Sequence, residues 1–167
     1  MRAKTSHKLS RTGEKVKLTP LNANEQTRRI QEAVARRAYE IFERRGGAAW
    51  HELEDWRQAE SESVRPFCCG EMTLNGSLWL GTDASAFEEG TIEIWIAPRR
   101  ITICGKPWIE KERAASGDRR AEMIYHIVNL PLEVDPSGVT ATFRGPSLEI
   151  VLRKAQAKPA HTMAAVA

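Results

Sequence analysis

The residues with reactive side chains are few and far apart. Cys68, Cys69 and Cys104 are the thiols, and His51 and His126 are the imidazoles nearest to them in the chain's apolar half. A tetrahedral ion is usually held by cysteines spaced as C-x₂-C, so an adjacent Cys68-Cys69 pair is a poor start for a metal site. Packing, or an accessible linker thiol open to redox chemistry, explains these cysteines better. Glu52, Glu54 and Asp55 bring three carboxylates together, but on a helix they read as solvated partners for nearby arginines rather than as an acid/base pair. His126 falls in the middle of a strand-like run, where a histidine is more often a packed residue than a general base. There is no G-x-x-x-x-G-K-[ST], G-x-G-x-x-G or G-x-S-x-G pattern. Neither a nucleotide cradle nor an acyl-transfer nucleophile is signalled, and no catalytic residue, metal or cofactor is assigned.

The bulk properties are those of a chain that folds. Apolar residues make up 41% and charged residues 28% of the 167 residues, with a formal net charge of +3. That charge is too small to imply nucleic acid by itself. No apolar run approaches the roughly 18 residues needed to cross a bilayer, and Met1-Arg2-Ala3-Lys4 opens a polar stretch unlike a secretory leader. An odd cysteine count does not suggest a disulfide framework, which favours a reducing compartment, most simply the cytoplasm.

Four segments follow from the patterning. Residues 1–24 form a basic tail, with Arg2, Lys4, Lys8, Arg11, Lys15 and Lys17 against Glu14, and are expected to be disordered. The tail is also the one feature that suits phosphate contacts. No aromatic residue interleaves with its charges, so nucleic acid is the weakest of the partner classes. Residues 25–64 should form a helical hairpin. A first helix begins near Asn24, carries Ile30, Val34, Ala38 and Ile41 at helical spacing, and stops at Gly46-Gly47. A second runs from about Ala48 to Ser63. Its Trp50, Leu53 and Trp56 are expected to pack on Tyr39 and Phe42 as the hairpin core. Helix one holds six arginines against four glutamates, whereas helix two is mostly acidic, so the two should attract.

Beyond Pro66 the rhythm becomes that of strands. Asn75-Gly76 is a hairpin signal, Ile92, Ile94 and Ile96 alternate, and Ile101 and Ile103 alternate again after Pro98-Arg99. Asp135-Pro136-Ser137-Gly138 and Gly145-Pro146 read as turns around Val139–Phe143, and Leu148, Ile150 and Leu152 close the series. Short strands with turn chemistry between them predict a sandwich over residues 66–155, leaving 156–167 as a flexible C-terminal tail.

Several of these motifs resemble the small heat-shock protein family. Leu130-Pro131-Leu132-Glu133-Val134-Asp135-Pro136, then Val139-Thr140-Ala141 and Leu148 to Lys154, are similar to the end of its alpha-crystallin domain. Thr91–Ile96 and Ile101–Lys106 resemble the preceding hairpin. The family's G-V-L reads Pro146-Ser147-Leu148 here, its A-D-L-P-G is replaced by Thr82–Ala86, and the tail lacks the I-x-I anchor that links dimers into large assemblies. Arg37–Glu60 in turn resembles a short bacterial helical-hairpin domain, which supplies a boundary and no activity. The resemblance implies a mainly β protein: an immunoglobulin-like antiparallel β-sandwich of the alpha-crystallin type, preceded by an α-helical hairpin. It implies an ATP-independent holdase of the stress response, not an enzyme, that binds unfolded or aggregation-prone proteins as a homodimer or larger homo-oligomer. Clients would enter an apolar groove between two edge strands, with Ile94, Ile96, Val139 and Phe143 as groove residues. Residues 106–124 would form either a swapped loop or a long paired strand. The alternative is an adaptor that docks one partner through the hairpin.

Overall fold

A computed structural model of the chain describes residues 16–66, 69–108 and 121–156. Residues 1–15, most of 106–124 and the tail from 157 lie outside the described residues, and with them most of the basic segment and the choice between swapped loop and paired strand.

The described chain runs β1 (Lys17–Pro20), α1 (Ala23–Arg44), α2 (Glu52–Ser63), β2 (Cys69–Leu74), β3 (Ser77–Asp83), β4 (Glu93–Ala97), β5 (Arg100–Gly105), β6 (Ile124–Asn129), β7 (Val134–Arg144) and β8 (Ser147–Lys154). Two four-stranded sheets face each other, ordered β1-β4-β5-β6 and β2-β3-β8-β7. Every pairing is antiparallel except β1 on β4, which is parallel. The protein is therefore the expected β-sandwich preceded by two helices.

Local chemistry accounts for the joints. Asn75 and Gly76 both have positive φ, +50° and +74°, the geometry a two-residue hairpin demands, and they join β2 to β3. Gly145, at φ +61°, does the same between β7 and β8. The turn expected at Asp135–Gly138 is instead a bulge inside β7. Pairing with β8 breaks between Val134 and Val139 while Asp135 Oδ1 accepts from the amide and hydroxyl of Ser137. An Asx turn satisfies the same backbone groups whether the chain reverses or merely kinks, so the residue types alone could not separate the two.

The first sheet is buried on both faces. Inward, Ile94, Ile96, Ile101 and Ile103 meet Leu78, Leu80, Leu148, Ile150 and Leu152 of the second sheet. Outward, Trp95, Cys104 and Tyr125 are covered by Ile30, Val34 and Ile41 of α1, with Ala59 of α2. This explains why α1 can be 22 residues long with a narrow apolar stripe: its partner is a sheet as well as a second helix.

Here the structure corrects the hairpin-core expectation. Trp50 is 92% exposed, Leu53 62%, Tyr39 60% and Trp56 39%, and Phe42 is half-buried beside Gly47. The stripe Gln26-Ile30-Val34-Arg37-Ile41 takes the sheet side, and α2 approaches α1 with its small or paired residues Asp55, Ala59 and Ser63. Tyr39 stands two positions from both Arg37 and Ile41, about 200° around the helix, and is therefore turned outward. Two boundaries also move. The first helix is capped by Asn22, whose side chain accepts from the Glu25 amide at 2.9 Å, rather than by Asn24. The second helix starts at Glu52.

Candidate functional site

The edge of the first sheet is where the chain departs most from its sequence expectation. Residues 17–20, read as part of a disordered tail, form β1 and pair with β4 in the register Lys17↔Glu93, Leu18↔Ile94, Thr19↔Trp95, Pro20↔Ile96. Leu21 N continues the ladder to Ile96 O at 2.8 Å. Alternating Val16, Leu18 and Pro20 carried the strand signal, but the surrounding charge masked it. Val16 packs against the sandwich core, while Leu18 remains 37% exposed.

Glu93 anchors the strand. Its carboxylate accepts from Thr19 Oγ1 at 2.6 Å and meets Lys17 Nζ at 3.2 Å. Burial pushes the Glu93 carboxyl up, but the Thr19 hydroxyl and the Lys17 ammonium more than offset this and hold it below its ordinary value. A single carboxylate thus ties two of the four β1 residues.

Ile94, Ile96, Val139 and Phe143, the four expected groove residues, are brought together, and all are buried in the core between the sheets. β1 lies beside both β4 and β7. β1 therefore borders the seam between those two strands.

A polar clasp that sequence reasoning missed fixes the end of the β1 ladder. Gln26, fully buried in the first turn of α1, donates from Nε2 to Leu21 O at 2.8 Å and accepts at Oε1 from Thr102 Oγ1 of β5 at 2.9 Å. A glutamine among charged helix residues gives no sign that it faces a sheet. Arg37 was likewise read as one of a charged set. It is 4% exposed and bound to Glu62 and, at 3.0 Å, to Glu40, joining α2 to α1.

The reactive side chains do not converge. Cys104 and His126 belong to opposite faces of the first sheet, because Cys104 pairs with Tyr125 while His126 pairs with Ile103. Burial, and after it the charge of Glu93, pushes the Cys104 thiol up to about 12, far from a reactive thiolate. His126 stacks edge-on to Phe87 with centroids 5.2 Å apart, and burial lowers its pKa against the opposing pull of a Pro66 backbone hydrogen bond. His51 stands at the N-cap of α2 without a side-chain cap bond; its Nδ1 lies 2.7 Å from Glu54 Oε2 at the exposed hairpin end. Asp55 is buried and paired with Arg45. Among the described residues no cluster of three or more His, Cys, Asp or Glu side chains is set to hold a metal ion. No helix among them is long and apolar enough to cross a membrane.

This fold is similar to solved small heat-shock and alpha-crystallin structures. Heat shock protein 16.0 from Schizosaccharomyces pombe superposes with a TM-score of 0.48 at 13% identity, over 62% of this chain and 77% of that one. A small heat-shock protein from Xylella fastidiosa gives 0.43 at 20% identity, over 55% and 88%. The rat alpha crystallin domain gives 0.39 at 19%, over 53% and 91%. No family model matches the sequence, and no curated protein matches it.

Proposed function

We propose that the chain is a non-enzymatic, ATP-independent holdase of the small heat-shock type, which takes up extended apolar segments of unfolding proteins along the β4 edge. The observation that carries this reading is β1 itself. The edge already accepts a four-residue strand that leads in from outside the two-sheet meander, in register and with Val16, just ahead of it, packed on the core. Backbone pairing is common to all peptides, so an edge that binds one extended segment is chemically suited to many. A client displacing β1 meets the free backbone of β4 beside the core that holds Ile94, Ile96, Val139 and Phe143. Burying its apolar surface there removes it from aggregation, and by mass action no nucleotide is needed. The motifs at Leu130–Pro136 and Leu148–Lys154 support the same reading, as does their family's habit of acting as homodimers and larger homo-oligomers in the cytoplasm.

Heating an aggregation-prone enzyme with equimolar protein tests it. Light scattering should fall several-fold, and scattering that rises as fast as in the client alone overturns the proposal.

An adaptor function is the second reading, supported by the exposed Tyr39, Trp50, Leu53 and Trp56 on the hairpin. Removing the whole hairpin does not separate the two readings, because α1 covers Trp95, Cys104 and Tyr125. Substituting Trp50 and Leu53 by alanine does. An adaptor loses its partner, whereas a holdase acting at β4 keeps its effect on scattering.

A further inference from the structure

Four large apolar side chains within 18 residues are exposed at one end of the molecule, Tyr39, Trp50, Leu53 and Trp56, and the half-buried Phe42 adjoins Tyr39 with ring centroids 6.2 Å apart. Single exposed apolar residues are ordinary, but a group of this size on one hairpin is not. Trp50 adds backbone strain. Its φ is +82°, a conformation that bulky residues rarely adopt, and it presents an indole that is 92% exposed. Nothing among the described residues covers it.

We propose that this aromatic face seats the chain's own basic segment, residues 1–15. The first argument is chemical. The face is edged by the exposed carboxylates of Glu52, Glu54 and Glu60, and Tyr39 is hydrogen-bonded to Glu43. Aromatic faces with carboxylates beside them attract ammonium and guanidinium groups. Residues 1–15 offer Arg2, Lys4, Lys8, Arg11 and Lys15 against the single acid Glu14, and no aromatic ring of their own. Asp55 and Glu62, the other acids of α2, are held by Arg45 and Arg37, whereas Glu54 meets His51 and Glu52 accepts from the Trp50 amide, both at exposed positions. A phosphate-bearing occupant would be repelled by the same three glutamates.

The second argument is geometric. The segment ends where β1 begins, beside Glu93. α1 starts at the opposite end of the sheet, where Arg100 donates to Thr27. It then passes Trp95 at Arg29, 5.5 Å from the ring centroid, and reaches Glu122 at Arg36. The helix therefore returns along the sheet, and its far end with the Trp50 loop emerges on the side from which the segment departs. From Arg29 to Arg44 the helix rises about 22 Å at 1.5 Å per residue, while 15 extended residues reach up to about 50 Å. Tethering at that range gives an effective concentration on the millimolar scale, so individually weak cation–aromatic contacts suffice.

Limited trypsin digestion of the full-length protein tests the proposal, with cleavage after Lys8 and Arg11 followed by mass spectrometry. Three proteins are compared at low and at high salt: the natural chain, Trp50→Ala/Trp56→Ala, and Glu52→Gln/Glu54→Gln/Glu60→Gln. Circular dichroism checks that the variants, altered only at exposed positions, keep the fold. At low salt both variants should be cut at least about three-fold faster than the natural chain, as lost cation–aromatic and ion-pair contacts require. High salt should abolish the difference between the natural chain and the glutamine variant. Equal rates in all three proteins overturn the proposal. So does protection that grows with protein concentration, which would make the occupant a second copy's segment.

Discussion

Gln26 and Thr102 form a two-residue buried network whose energetics can be worked out from its hydrogen bonds. Both side chains are fully buried, and Gln26 bridges Leu21 O and Thr102 Oγ1. Gln26→Leu strands a carbonyl and a hydroxyl in apolar surroundings at about 1–3 kcal/mol each, partly offset by the added apolar side chain, for a net loss of roughly 2–3 kcal/mol. Thr102→Val leaves only Gln26 Oε1 without its donor and should cost about 1–2 kcal/mol. In the double variant the hydroxyl and the amide oxygen disappear together, and only Leu21 O remains orphaned. The double loss should therefore fall short of the sum of the singles by about 1–2 kcal/mol. Urea unfolding of the four proteins measures this, with a parallel fall in Tm of roughly 2–4 °C per kcal/mol for a chain of this size. Additive losses within experimental error would refute the clasp. The same experiment reaches function, because Leu21 ends the β1 ladder on Ile96. Loosening it with Gln26→Leu should free β1 and raise client uptake at β4.

Other expectations can be measured on the same material. Arg37→Ala should cost about 2–4 kcal/mol, since it removes a buried partner of Glu62, whereas Arg28→Ala, on an exposed ion pair, should leave the denaturant midpoint nearly unchanged; denaturant midpoints distinguish the two. Gly105→Ala should destabilise by about 1–3 kcal/mol, because a Cβ there would lie 2.9 Å from Phe87 Cδ1 and 3.3 Å from Thr91 O, and a Tm scan reads it. Burial depresses the pKa of His126, so its contribution to stability is present above its unfolded value near about 6.5 and is lost as the pH falls through the lower folded value. His126→Leu should therefore flatten the fall in urea midpoint between neutral and mildly acidic pH, and an unchanged slope would contradict the assignment.

How far the sequence was legible depended on what each signal competed with. Period-two apolar runs located β4, β5, β7 and β8 because both sheets bury alternate residues there, and Asn75-Gly76 marked its hairpin because few other residue pairs tolerate two positive φ values. β1 was hidden, since four residues on an edge have too little apolar content to stand out beside five nearby bases. The wrong face was chosen for the hairpin because aromatic residues were assumed to pair with one another. The larger apolar partner was a sheet face carrying Trp95, Cys104 and Tyr125, which no local spacing reveals. Ile94, Ile96, Val139 and Phe143 fall in the common core between the sheets, and the strand that pairs with β4 comes from a segment over seventy residues away, which no local spacing announces.

Capture at the β4 edge is tested most directly by hydrogen exchange on the protein alone and on its complex with a heat-unfolded client. The amides of Lys17–Leu21 should lose protection when the client binds, while those of Glu93–Ala97 keep theirs because a client strand replaces β1. A complex in which Lys17–Leu21 stay protected, with new protection confined to the helical hairpin, would contradict edge capture.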